Sequence, residues 1–220
     1  MAMIWPCLQE TSFFIYAFET AAKAFALTDR ADLVGKAISI LANKAGIYGM
    51  IGGQSVDVEY TDRPVTKSQL EFIYELKTAA LLEAAMMIGA VLAGADDNQV
   101  KAAEQIAHHV GMAFQIRDDI LDVISTTEEL GKPVKSDEKN NKTTYVTIYG
   151  LDGASKLVEE YSHTAMTLLI RYVRMHQFLK RLFEYLIVSK KIGIIFKPND
   201  AKGGRLWYLI KYRGRMTSKN

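Results

Sequence analysis

The chain has 220 residues, 49% of them hydrophobic and 24% charged, with a formal net charge of +2. That length buries a real core, and so even a charge balance gives no pointer to nucleic acid. A single cysteine, Cys7, excludes an internal disulfide framework and fits a reducing compartment. No apolar run reaches the roughly 18 residues that span a bilayer. The first residues also lack the basic start and long apolar stretch of a secretory signal. A cytoplasmic protein without stable membrane insertion is expected.

The four prolines, Pro6, Pro64, Pro133 and Pro198, leave long uninterrupted stretches. In chain order, apolar spacing of helical period predicts helices over 16–27 and 31–46. The text GMIGGQSVDVEY follows, with Gln54 and Asp57 after a glycine doublet that lets backbones approach closely. A long helix is predicted over 70–95, rich in Ala, Leu, Glu and Met and stopped at AGADDN by a glycine with capping residues after it. Further helices are predicted over 98–124, 156–173 and 176–191. Little of the sequence alternates with period two, and no internal repeat is visible. The fold class is all-α.

The stretch FQIRDDILD places Asp118, Asp119 and Asp122 in an otherwise apolar segment. On a helix Asp118 and Asp122 are i and i+4 and share a face about 6 Å apart, with Asp119 around the side. Like charges this close repel unless a cation sits between them. A hard divalent cation such as Mg²⁺ suits one or two carboxylates plus substrate phosphates. The alternative is a solvated acidic face with Arg117 pairing locally. Phe114, Ile116, Ile120 and Leu121 favour a mostly buried helix, and burying three unpartnered carboxylates would cost several kcal/mol. Lys132, Lys135, Lys139 and Lys142 follow in a loop, and Lys77 lies upstream inside an apolar helix. A lysine in that setting either snorkels or holds phosphate.

Taken together, GMIGGQSVDVE, LEFIYELKTAALLEAAMMIGAVLAGA, GMAFQIRDDILDV, STTEELGKPVKSDEKNNKTTYVTIYGLDGA and FLKRLFEYLI resemble the trans-isoprenyl diphosphate synthases of the polyprenyl synthetase family. The likeness is strongest to the bacterial-type farnesyl and geranylgeranyl enzymes and covers roughly 16–191. It implies a helical bundle around a deep central cavity. It also implies a magnesium-dependent prenyltransferase of isoprenoid biosynthesis that condenses isopentenyl diphosphate with an allylic diphosphate. Ionisation gives an allylic cation, the isopentenyl double bond attacks it, and a proton is lost. In this resemblance Asp118, Asp119 and Asp122 are the second Asp-rich box and hold Mg²⁺. Lys77 and Lys132 contact diphosphate, as does Lys142. Thr78 and Gln115 line the same site, and Gln54 with Asp57 shape the cavity. Met86, Met87 and Phe114 are core or cavity residues. A homodimer is implied.

The chain also departs from the family pattern. Family members carry a first Asp-rich box and isopentenyl diphosphate contacts upstream of the position matching Met1, so the amino-terminal helices are expected to be missing. At Cys7 to Phe13 the expected Leu-Ala-Gly-Asp text is replaced. A reading-frame slip would account for this: codons TGC TTG CAG GAG ACT TCC TTT for Cys7 to Phe13, read from the third base, would encode Leu-Ala-Gly-Asp-Phe-Leu, and the nucleotide sequence of the gene tests it. Residues 1–191 are therefore expected to form a partial synthase domain, inactive alone, with an aberrant start over 1–15. Residues 192–220 form a basic extension outside it, with seven Lys and Arg against one acidic residue. A non-catalytic subunit or pseudoenzyme of the same fold is the alternative. A class I terpene cyclase fits less well, because its second metal box does not read DDILD.

Overall fold

The computed structural model describes residues 4–125, 142–172, 179 and 181–183. All regular structure among them is helical, as the periodicity predicts. Helix α1 spans Ile4–Ala22 and runs into a 3₁₀ turn at Lys23–Ala26. Then come α2 (Ala31–Ala45), α3 (Met50–Glu59), α4 (Lys67–Tyr74), a π turn (Glu75–Ala79) and α5 (Ala80–Leu92). Helix α6 spans Asp97–Ile124 and α7 Tyr145–Tyr172, the latter bent at Gly150 with φ 70°.

Two helix starts are set by reciprocal side-chain caps. At α4, Thr66 Oγ1 accepts from the Gln69 amide at 3.3 Å while Gln69 Oε1 accepts from the Thr66 amide at 2.8 Å. At α6, Asp96 and Gln99 repeat the arrangement at 2.9 and 3.0 Å. Helix α5 ends where Gly94 takes φ 81°, the left-handed conformation that glycine adopts without strain.

Helix α6 forms the spine, packed against α5 on one side and α7 on the other. Its residues Ile106, Val110, Ile116 and Leu121 are buried. They join Leu70, Ile73 and Tyr74 of α4 and Tyr145, Val158 and Leu169 of α7 in the core. The backbones come very close where Gly111 faces Ala79: a Cβ there would lie 2.7 Å from the Ala79 Cα. Helix α2 is fastened by charge. Lys44 Nζ donates to Glu83 of α5 at 2.5 Å and to Glu104 of α6 at 2.6 Å, and His108 Nδ1 lies 3.1 Å from the other Glu83 oxygen.

Helices α1 and α7 begin earlier than the sequence expectation, at Ile4 and Tyr145, and two further elements differ in kind. Helix α3 is an addition, because its glycines and β-branched residues carry low helix propensity. Tertiary packing holds it instead: Gly53 is buried so tightly that a Cβ would lie 2.4 Å from the Lys77 amide nitrogen. The single helix expected over 70–95 is interrupted by the π turn. On the surface, Phe13, Ile15, Tyr16, Leu27, Ile47 and Tyr48 remain exposed. No described helix is long and apolar enough to cross a membrane. Lys132, most of the helix expected over 176–191 and the extension 192–220 lie outside the described residues.

Candidate functional site

Helices α4 and α5 run antiparallel to α6, and three polar contacts mark the register. Tyr74 meets Asp119, Thr78 meets Gln115, and Glu83 meets His108. The π turn sits in the middle of this ladder. The Ala80 amide donates to the Glu75 carbonyl, five residues back, so the turn holds one residue more than an α-turn. Adjacent side chains are thereby sent to different neighbours. Lys77 reaches α3 and pairs with Asp57, whereas Thr78 Oγ1 donates to Gln115 Oε1 of α6 at 2.8 Å.

Asp57 binds a second cation. Lys142, just before α7, lies with Nζ 3.5 Å from Asp57 Oδ1 while Lys77 engages Oδ2. Burial alone would push the Asp57 carboxyl up, but the two lysines outweigh it and hold it below the usual carboxylate range. Beside this trio is a cavity of about 340 Å³ lined by Asp57, Tyr60, Arg63, Val65, Lys142 and Thr143.

The three aspartates of α6 have different surroundings. Asp119 is 4% exposed. Its Oδ2 accepts from the Tyr74 hydroxyl at 2.7 Å and from the Tyr145 amide, the first of α7, at 3.1 Å. The middle carboxylate thus ties α4, α6 and α7 together. Asp122 is buried and Asp118 half-buried. Among the described residues no three His, Cys, Asp or Glu side chains are grouped so as to hold a metal. Asp118 and Asp122, one turn apart on α6, supply hard oxygen donors, the type that Mg²⁺ takes alongside phosphate oxygens. The Arg117 Nε is buried without a hydrogen-bond partner, and among the described residues no ion pair joins Arg117 to the box.

The structure therefore brings together Lys77, Lys142 and Asp57, and separately Thr78 and Gln115. Gln54 is exposed and takes no part in these hydrogen bonds. Met86 packs against the core, and Met87 and Phe114 are half-buried. Sequence reasoning missed Tyr74 and Tyr145, whose rings lie 5.2 Å apart and which reach Asp119 through the Tyr74 hydroxyl and the Tyr145 backbone amide. For Tyr74 the available signal was a tyrosine hydroxyl in an apolar helix, which needs a partner when buried; for Tyr145, which acts through its backbone amide, the side chain carries no such signal.

The all-helical bundle thus holds two lysines on one carboxylate and, separately, a Thr–Gln pair and an aspartate-rich stretch of α6. The chain belongs to the polyprenyl synthetase family, whose model matches residues 12–169. It is 44% identical over 119 residues to the farnesyl diphosphate synthase of Geobacillus stearothermophilus, covering 54% of this chain and 40% of that protein. It is 42% identical over 130 residues to the geranylgeranyl diphosphate synthase of Cyanophora paradoxa, covering 59% and 43%. A Helicobacter pylori geranyltransferase complexed with magnesium and isoprenyl diphosphate superimposes with a TM-score of 0.66 at 30% identity, over 80% of this chain and 56% of that one. The chain thus spans less than half the length of the curated relatives named here.

Proposed function

We propose that this chain carries the allylic-diphosphate half of an isoprenyl diphosphate synthase. The whole protein then condenses isopentenyl diphosphate with an allylic diphosphate in isoprenoid biosynthesis. The observation that supports this most is that Lys77 and Lys142, from separate elements, meet on Asp57. In the proposed reaction the lysines grip the leaving diphosphate and stabilise its charge as it departs, the largest kind of catalytic term. The hydroxyl–amide pair places oriented dipoles where the allylic cation develops. Lys132, which the resemblance assigns to diphosphate, belongs to the same proposal. Asp118 and Asp122 are the proposed Mg²⁺ holders, with Asp119 beside them. Bound Mg²⁺ supplies further charge neutralisation to the leaving group. The buried α6 face keeps water from the cation.

The proposal extends to a cytoplasmic homodimer, supported by the exposed Phe13, Ile15 and Tyr16 of α1. It divides the chain into a synthase portion over 1–191 and an extension over 192–220. The test is geranyl diphosphate binding to the purified chain with and without Mg²⁺. Binding strengthened by Mg²⁺ in the wild type but not in Asp118→Ala is expected. Binding indifferent to Mg²⁺ in both would overturn the metal assignment, and no binding at all would overturn the substrate class.

A further inference from the structure

Lys77 and Lys142 do not wait for an anion with bare ammonium groups. One carboxylate already holds them both: Asp57 Oδ2 engages Lys77 and Oδ1 lies 3.5 Å from Lys142. Asp57 is itself only 15% exposed at its side chain, while Lys77 and Lys142, at 33% and 40%, keep one side open to solvent and to an incoming anion. The trio carries one net positive charge. An incoming anion must therefore compete with a prepositioned carboxylate that occupies both cations at once.

We propose that Asp57 sets the charge threshold of this site, so that a diphosphate displaces it from the lysine pair and a monophosphate does not. The inference rests on the reading of Lys77 and Lys142 as diphosphate holders. Three observations favour a threshold over a purely structural ion pair. First, the two lysines come from different elements, the π turn and the segment before α7, and among the described residues they meet through Asp57. Second, Gly53 locks α3 against the Lys77 backbone, so the carboxylate cannot retreat with its helix and must be outcompeted where it stands. Third, the adjoining cavity of about 340 Å³, with Arg63 and Thr143 as well as Asp62 in its wall, has room for a second phosphoryl group beside Lys142. A monophosphate, at about −1.5 to −2 charge near neutral pH, gains little over the resident carboxylate once its own desolvation is counted. A diphosphate adds charge and a second point of attachment.

The experiment measures inorganic pyrophosphate and inorganic phosphate binding to the full 220-residue chain by calorimetry. It is run at low ionic strength with EDTA, so that the lysines act without metal. The wild type is expected to prefer pyrophosphate by at least about 10-fold, and Asp57→Asn to tighten phosphate more than pyrophosphate, shrinking that preference by roughly the same factor. A preference unchanged to within about twofold in a folded Asp57→Asn protein overturns the threshold. If Asp57→Asn loses its helical circular dichroism, Lys142→Ala replaces it. The remaining Asp57–Lys77 pair is then neutral, and pyrophosphate binding should fall further than phosphate binding. Equal falls would overturn the threshold. A wild-type chain that binds neither anion overturns instead the diphosphate reading beneath it.

Discussion

Replacing Tyr74 by Phe removes a single oxygen and leaves the ring that packs against Tyr145. The oxygen matters because Tyr74 is 3% exposed and its hydroxyl donates to Asp119, itself 4% exposed, at 2.7 Å. A hydrogen bond to a charged group contributes about 1.5–3 kcal/mol. Asp119 keeps the Tyr145 amide, so it is not stripped of donors, and we expect a loss of about 2 kcal/mol, within that range. With a urea m-value of about 2 kcal/mol/M, the unfolding midpoint should fall by about 1 M at unchanged slope. The same substitution in an Asp119→Asn background meets a neutral acceptor and should cost only about 0.5–1.5 kcal/mol. The two costs therefore differ, and the difference is the coupling between hydroxyl and charge. A Tyr74→Phe protein within about 0.5 kcal/mol of wild type, or equal costs in both backgrounds, would refute the assignment of Asp119 as the buried tie between α4, α6 and α7.

Further outcomes separate close packing from intrinsic propensity and charge from burial. Gly53→Ala should destabilise by about 1–3 kcal/mol despite alanine's better helix propensity, because its Cβ would press within 2.4 Å of the Lys77 backbone nitrogen. Gly35→Ala in α2, where a Cβ meets nothing within 4 Å, should stabilise by about 0.5–1 kcal/mol; thermal melts of the pair with signs reversed would show the α3 packing to be wrong. His108 is held above its ordinary pKa chiefly by its hydrogen bond to Glu83, against the opposing effect of burial. A raised folded-state pKa contributes stability that is fully present below about pH 6.5 and lost as pH rises through the raised value. The stability gap between wild type and His108→Gln should therefore be widest near pH 5.5–6 and shrink toward alkaline pH. A gap independent of pH would show that His108 stays neutral.

Much of the fold is legible in the sequence because α5, α6 and α7 bury broad apolar stripes, and stripes have a period. What escapes is decided by tertiary contact. Helix α3 carries no helical signal in the sequence, since Gly52 and Gly53 lower its propensity. It is helical because α3 presses on the π turn, where only a hydrogen at residue 53 fits. The π turn itself leaves no trace in hydrophobic spacing, because one added residue in a buried helix keeps both flanking faces apolar. At the site, the spacing of Asp118 and Asp122 marks a shared face, but nothing in it says that Asp119 would turn to Tyr74 and the α7 amide. The lysine at 77 was ambiguous between snorkelling and holding phosphate, and the structure adds a third element, its pairing with Asp57.

Lys77 is where the functional account is most exposed, because its two readings diverge in one measurement. Geranyl diphosphate affinity is measured with Mg²⁺ for wild type and Lys77→Met, which keeps the apolar stem and removes the charge. If the ammonium holds the allylic diphosphate, geranyl diphosphate should weaken by at least about 10-fold, the size of one lost charge–charge contact. Unchanged geranyl diphosphate binding in a folded Lys77→Met protein would return Lys77 to a packing and ion-pair role and contradict the proposed site.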